Sequence, residues 1–155
     1  MARLTDFAEA ERKHHLDKIG ELPDFGDTPF VAGSPLSKRR VAIVTTAGIH
    51  VRGDRPFSTA ATDYRVIPGD TPPGDLVMSH MSVNFDRTGF QEDLNVAFPL
   101  QRLRELEADG VIGGVADLHY SFMGAAPIRA LEPKARELAA LLKRDRVDAV
   151  LLTPV

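Results

Sequence analysis

The sequence predicts an α/β domain built on a mainly parallel sheet flanked by helices. Three observations carry this. Val41-Ala42-Ile43-Val44 is a short, continuous apolar run that ends in Thr45-Thr46-Ala47-Gly48, the pattern of a strand buried on both faces followed by a tight turn. Two helical patterns, opening at Pro99 and Pro133, alternate with apolar strands. A second fully apolar run closes the chain, Asp148-Ala149-Val150-Leu151-Leu152-Thr153-Pro154-Val155. Strands and helices in this alternation make parallel sheets covered by helices.

The elements follow in order. Residues 3 to 19 read as a docking helix, with Leu4, Phe7, Ala8, Leu16 and Ile19 mostly on one face. Residues 20 to 38 carry Pro23, Gly26, Pro29, Gly33 and Pro35 and read as an irregular arm anchored by Phe25 and Phe30. The domain organisation is therefore an N-terminal helix and arm over 1–38, then an α/β domain over 39–155. Tyr64 to Ile67 and Asp75 to Ser79 are further short strands. The helix after Pro99 lines one face with Leu100, Leu103 and Leu106 and ends at Gly110, a left-handed capping position. Val111-Ile112-Gly113-Gly114-Val115 reads as a glycine-weakened strand. The helix opened by Pro133 places Ala135, Leu138, Ala139 and Leu142 at i, i+3, i+4, i+7 spacing, and Lys143 and Arg144 suit its C-terminal dipole.

Composition excludes several function classes. The 155 residues are 43% hydrophobic and 26% charged with a net charge of −3, which supports a core but no basic stripe for a phosphate backbone. Lys38-Arg39-Arg40 reads as a solvated strand entrance. No apolar stretch approaches the ~20 residues that cross a bilayer, and the N-terminus has no apolar signal region, so the expected setting is cytoplasmic. There is no cysteine, hence no disulfide and no thiolate chemistry within these residues. Gly110, Gly113 and Gly114 fall at a helix end and inside a strand, not between strand and helix, which disfavours a dinucleotide cofactor.

Candidate site residues cluster after the strands, because ligands of open α/β sheets bind beyond the strands' carboxyl ends. Thr45 and Thr46 lead into a turn whose hydroxyls and N–H groups suit a carboxylate or phosphate. His80 ends one strand and is followed by Asn84, Asp86 and Arg87, and Arg87 suits a substrate carboxylate. His119 and Tyr120 are read as a loop after the strand at 111–115. His80 and His119 are the candidate proton donors to a leaving amine, since imidazole titrates near neutrality. His50, His80 and His119 give no metal-ligand spacing, and His14-His15 are adjacent on a helix and point apart.

Four segments carry a family resemblance: Arg40 to His50, Tyr64 to Pro68, Phe98 to Leu106 and Val147 to Val155, helped by Ser79-His80 and His119 to Gly124. In order and spacing they resemble the selenoprotein B subunit of the glycine, betaine, sarcosine and D-proline reductases. The resemblance implies a subunit of an enzyme that reductively cleaves a C–N bond; the residues expected to serve it at the sheet edge are Thr45, Thr46, Arg87 and Tyr120 toward substrate and His80 and His119 as catalytic groups. It implies a selenocysteine, or a cysteine in some members, directly after the last strand, whose selenolate displaces the amine. A UGA codon read as a stop would end a chain at Val155, so truncation after the last strand is expected, with one flank of Val150-Leu151-Leu152 uncovered. It further implies a partner subunit bearing a pyruvoyl group and a thioredoxin-type reductant. The alternative is a non-catalytic domain that binds a small carboxylate or scaffolds another subunit.

Overall fold

The computed structural model describes residues 3–20, 22–24, 26–27, 31–81 and 87–155, so Phe25, Phe30, Asn84 and Asp86 lie outside the described residues. The chain divides into two compact units, Met1–Val31 and Ala32–Val155. The first holds a 3-10 turn at Leu4–Asp6 and helix α1, Glu9–Gly20. Nothing in α1 is buried, and Leu16 and Ile19 are exposed.

The second unit carries strands β1 (Arg40–Thr45), β2 (Ile49–Val51), β3 (Tyr64–Pro68), β4 (Leu76–Met78), β5 (Gly114–Val115), β6 (Leu118–Phe122) and β7 (Ala149–Thr153). Its helices are α2 (Thr88–Glu92), α3 (Leu100–Ala108) and α4 (Ile128–Arg144). The sheet is centred on β1 and is mainly parallel, as the sequence predicts. Along one edge of β1, Arg40 and Val41 pair with β5, and Val44 and Thr45 pair with β6, all in parallel. Along the other edge β7 pairs in parallel over Val41 to Thr45. β3 is antiparallel to β6, and β2 with β4 forms a separate antiparallel ribbon.

Alternation along the strands sends side chains to two cores. On one face Val41, Ile43 and Ile67 pack with Ile49, Leu76, Ala97, Phe98, Leu100, Leu103 and Ile112. On the other, Tyr120 and Phe122 pack against Leu138, with Val44, Tyr64, Leu131, Leu141 and Leu142 around them. At the amino end of the strands Arg40 ties the elements together. Its guanidinium donates to the Val115 carbonyl at 3.0 Å and to Asp145 Oδ1 at 3.0 Å, and pairs with Asp117 at 2.9 Å. Its own N–H donates to Asp148 Oδ1 at 2.7 Å. The sequence reading made Arg40 part of a solvated entrance; it is half-buried and bonded on both flanks of β1.

Several elements differ from expectation for identifiable reasons. α4 begins at Ile128, and Pro133 lies inside it, because Leu131, two residues before the proline, already packs against the aromatic core. Its core-facing stripe is buried Leu138 with partly buried Leu131, Leu141 and Leu142, while Ala135 and Ala139 face solvent. The strand expected at 111–115 shortens to Gly114–Val115. Gly113 passes so close to the chain before β1 that a Cβ there would meet Lys38 backbone atoms at 2.5 and 2.8 Å. α3 ends at Ala108, with Gly110 at φ +69°, as its capping role requires.

Candidate functional site

The carboxyl end of β1 is locked by hydrogen bonds. Thr45 is 0% exposed; its hydroxyl donates to the Thr153 carbonyl at 3.2 Å and accepts from Ala47 N–H at 3.1 Å. Thr46 Oγ1 accepts from Val155 N–H at 2.8 Å and lies 3.3 Å from the Val155 carbonyl. The N–H groups that follow are committed as well: Thr46 to Thr153 O, Gly48 to Phe122 O and Ile49 to Ser121 Oγ. The hydroxyls and N–H groups expected to face an anion are thus engaged within the protein. The turn spends its donors on joining β1 to β7 and β6, and a carboxylate would have to displace protein acceptors that are already in place.

His80 is brought to this end. Gly48 turns at φ +65°, and a Cβ on it would stand 3.1 Å from the His80 backbone, so glycine is what lets the 79–80 segment close against the turn. His80 is 4% exposed. Burial holds its imidazole below the ordinary value, Arg87 adds to that, and the Thr46 and Ala47 carbonyls oppose it. The ring is therefore largely neutral at pH 7, suited to orienting or accepting rather than to delivering a proton. Arg87, exposed at the start of α2, donates to the His80 carbonyl at 2.5 Å.

His119 and Tyr120 lie in β6, not in a loop, and face opposite cores. The neighbouring chain along that edge of β1 bulges at Ala116-Asp117, between β5 and β6. The Ile43 N–H that falls at the bulge donates to His119 Nδ1 at 2.9 Å, so an imidazole replaces a ladder carbonyl. Nδ1 must stay unprotonated to accept, which puts the ring proton on Nε2. Nε2 is buried with no hydrogen-bond partner among the described residues, and it lies 3.5 Å from where a Cβ on Gly69 would be. Phe98 stands edge-on to the ring at 5.7 Å. Burial, with Arg104 adding, pushes the His119 pKa down to about 4. His119 is thus a buried residue of β6 that completes the sheet, where the sequence reads a loop. Tyr120 is 2% exposed, edge-on to Tyr64 at 5.7 Å, and burial raises its pKa. It packs beneath α4 instead of facing the carboxyl edge.

The structure therefore sets Thr46 against Val155, His80 against the Gly48 turn and Arg87 on the His80 carbonyl, and holds His119 and Tyr120 inside the sheet. It adds residues that sequence reasoning passed over. Ser79 lies between β4 and His80, and its N–H donates to Gly48 O at 2.8 Å. Gly124 leaves room for the chain's last strand: a Cβ there would lie 3.0 Å from the Val155 carbonyl. The one available signal was their place in the resembling segments, at Ser79-His80 and at Gly124. Among the described residues no group of three His, Cys, Asp or Glu is arranged to hold a metal ion, and no helix is long and apolar enough to cross a membrane.

Residues 21–155 match the family model described as glycine/sarcosine/betaine reductase selenoprotein B. D-proline reductase subunit gamma of Acetoanaerobium sticklandii is 36% identical over 133 residues, 81% of this chain and 54% of that protein. Glycine reductase complex component B subunit gamma of Symbiobacterium thermophilum is 35% identical over 76% of this chain and 29% of its own length. Sarcosine reductase complex component B subunit beta of Peptoclostridium acidaminophilum is 35% identical over 81% of this chain and 30% of its own. The chain thus spans about half the length of the first relative and under a third of the others. No solved structure matches. With the match running from the arm through every strand of the sheet, the chain belongs to the glycine/sarcosine/betaine reductase selenoprotein B family.

Proposed function

We propose that the chain forms the substrate-side part of a cytoplasmic reductase subunit that cleaves a C–N bond of glycine, betaine, sarcosine or D-proline. The observation that carries this is the family match over residues 21–155, with relatives named for reductases of these substrates. The grouping of His80 and Arg87 at the carboxyl end of β1 supports the location. Arg87 supplies the cation for a substrate carboxylate, and neutral His80 beside it orients the bound molecule. Thr45 and Thr46 hold the β1–β7 join that supports them.

The chain has no cysteine, so the two electrons of such a cleavage come through a residue outside these 155. A selenocysteine or cysteine following the last strand fits that need, because a selenolate is ionised at neutral pH in the way an activated thiolate is. A pyruvoyl-bearing partner subunit and a thioredoxin-type reductant complete the proposal.

The test has two arms. The purified 155-residue chain with dithiothreitol should not turn over glycine, sarcosine, betaine or D-proline. The gene should continue in frame past a UGA codon after Val155. The extended subunit, with cysteine at that codon and its partner present, should show activity that His80→Gln and Arg87→Met each reduce. Turnover by the short chain, or a different stop codon with no open frame beyond, would turn the reading toward a scaffold domain.

A further inference from the structure

His50 and Ser79 form a hydrogen-bonded pair that the reductase reading does not use. His50 is the middle residue of β2 and 4% exposed; Ser79 follows β4 and is half-buried. Val77 stands opposite His50, and Ser79 N–H bonds the Gly48 carbonyl, so Ser79 is the diagonal cross-strand neighbour of His50 on the same face. His50 Nδ1 lies 3.0 Å from the Val51 carbonyl oxygen. A carbonyl only accepts, so Nδ1 carries the ring proton. In the neutral ring Nε2 then presents its lone pair, and Ser79 Oγ donates to it at 2.7 Å. A base within hydrogen-bond reach of a hydroxyl, fixed in one tautomer by a third group, is the arrangement that activates a serine. Here a backbone carbonyl fills the orienting role that a carboxylate fills in hydrolase triads.

We propose that Ser79 is a nucleophile with His50 as its general base, and that the pair takes acyl groups from activated esters. Ser79 Oγ forms a bond to the acyl carbon while its proton passes to His50 Nε2. The bond from the acyl carbon to the leaving oxygen breaks, the electron pair leaves on that oxygen, and the imidazolium returns the proton to it or to solvent. Water, with His50 again as base, then hydrolyses the acyl-serine to a carboxylate and restores the hydroxyl. The substrate class follows from the turn beside it. The N–H groups of Thr46, Ala47, Gly48 and Ile49 are all committed to protein acceptors, so this turn offers no oxyanion donors. Without them only esters with an easily expelled leaving group, such as aryl esters, react, and amides do not.

The experiment needs neither the reductase partner nor a redox residue. The 155-residue chain is treated with p-nitrophenyl acetate and, separately, with a fluorophosphonate probe, and the modified residue is located by peptide mass. An adduct on Ser79 is expected, absent in Ser79→Ala and formed about a hundredfold more slowly in His50→Gln. Ser79→Ala should keep the wild-type circular dichroism spectrum. Ser79→Cys provides a second reading: its thiol should alkylate well below the ordinary cysteine pH range, by virtue of His50. No adduct at Ser79, labelling confined to lysines or the amino terminus, an unchanged rate in His50→Gln, or a cysteine at 79 with ordinary reactivity would each overturn the proposal.

Discussion

β1 and β7 are nearly the same sentence written twice. Val41-Ala42-Ile43-Val44-Thr45 and Ala149-Val150-Leu151-Leu152-Thr153 are both apolar runs closed by threonine, and they pair residue for residue in parallel. Yet Ala42, Ile43 and Thr45 are 0% exposed, whereas Val150 is 42%, Leu151 36% and Leu152 69% exposed. β1 is flanked by strands on both edges and lies between two cores. β7 pairs on one edge among the described residues, and α4 turns its leucines toward Tyr120 and Phe122 instead of toward Val150 and Leu152. An apolar run states what a strand can bury; position in the sheet decides what it does bury.

The sharpest break of that comparison is Ile43→Ala. Cutting a fully buried side chain from the central strand should cost about 3 kcal/mol in urea unfolding, by lost transfer energy plus a cavity. A cost no greater than that of Leu152→Ala would show the two strands to be equally covered in solution.

An effect of similar size belongs to the other edge of β1, where His119 repairs the ladder. Its folded pKa, about 4, is below the unfolded value, so the unfolded chain binds the extra proton first. Stability is therefore unaffected by this group above about pH 6.5, declines as pH falls from there to about 4, and levels off below. The full loss is about 3 kcal/mol. His119→Asn, which keeps an acceptor and cannot titrate, should flatten this part of the pH profile. An unchanged profile would remove His119 as its source.

Arg40→Met should cost about 2 kcal/mol, because charge-assisted bonds to Val115, Asp117 and Asp145 are lost together. Hydrogen exchange should show β7 amides losing protection before those of β6; the reverse order would mean that β7 is the better-held flank. The smallest expected change is from Leu152→Asp: stability within about 0.5 kcal/mol of wild type, with lower self-association in sedimentation. A large loss of stability would show that Leu152 is covered.

β1, β4 and β7 were legible because each is a compact apolar run, and α3 because proline and glycine punctuate it. β6 was not. Leu118-His119-Tyr120-Ser121-Phe122 alternates polar and apolar residues as a half-exposed strand would, but His119 and Ser121 are 0% exposed. They are buried because each accepts a backbone N–H, from Ile43 and Ile49, that no strand carbonyl reaches. Polarity that serves an internal bond leaves no periodic trace. The same reason hides the bonding at the end of β1: nothing in the pattern of Thr45-Thr46 shows that their hydroxyls bond Thr153 and Val155. The His50–Ser79 bond joins residues 29 apart, a juxtaposition that only the β2–β4 ribbon creates.

The centrality of β1 has a cost in time. The Thr45–Thr153 bond spans 108 residues, so at about 5–20 residues per second β1 leaves the ribosome roughly 5–20 s before the strand that covers its second edge. During that wait an apolar strand is exposed on a nascent chain, and its pairing must close a long loop. Lys38-Arg39-Arg40, directly before the run, is placed as a gatekeeper: three positive charges at the mouth of the segment most able to associate with its own kind. In the folded sheet the same Arg40 is held by Asp145 and Asp148, so the charge that precedes the apolar run becomes part of the sheet's fastening.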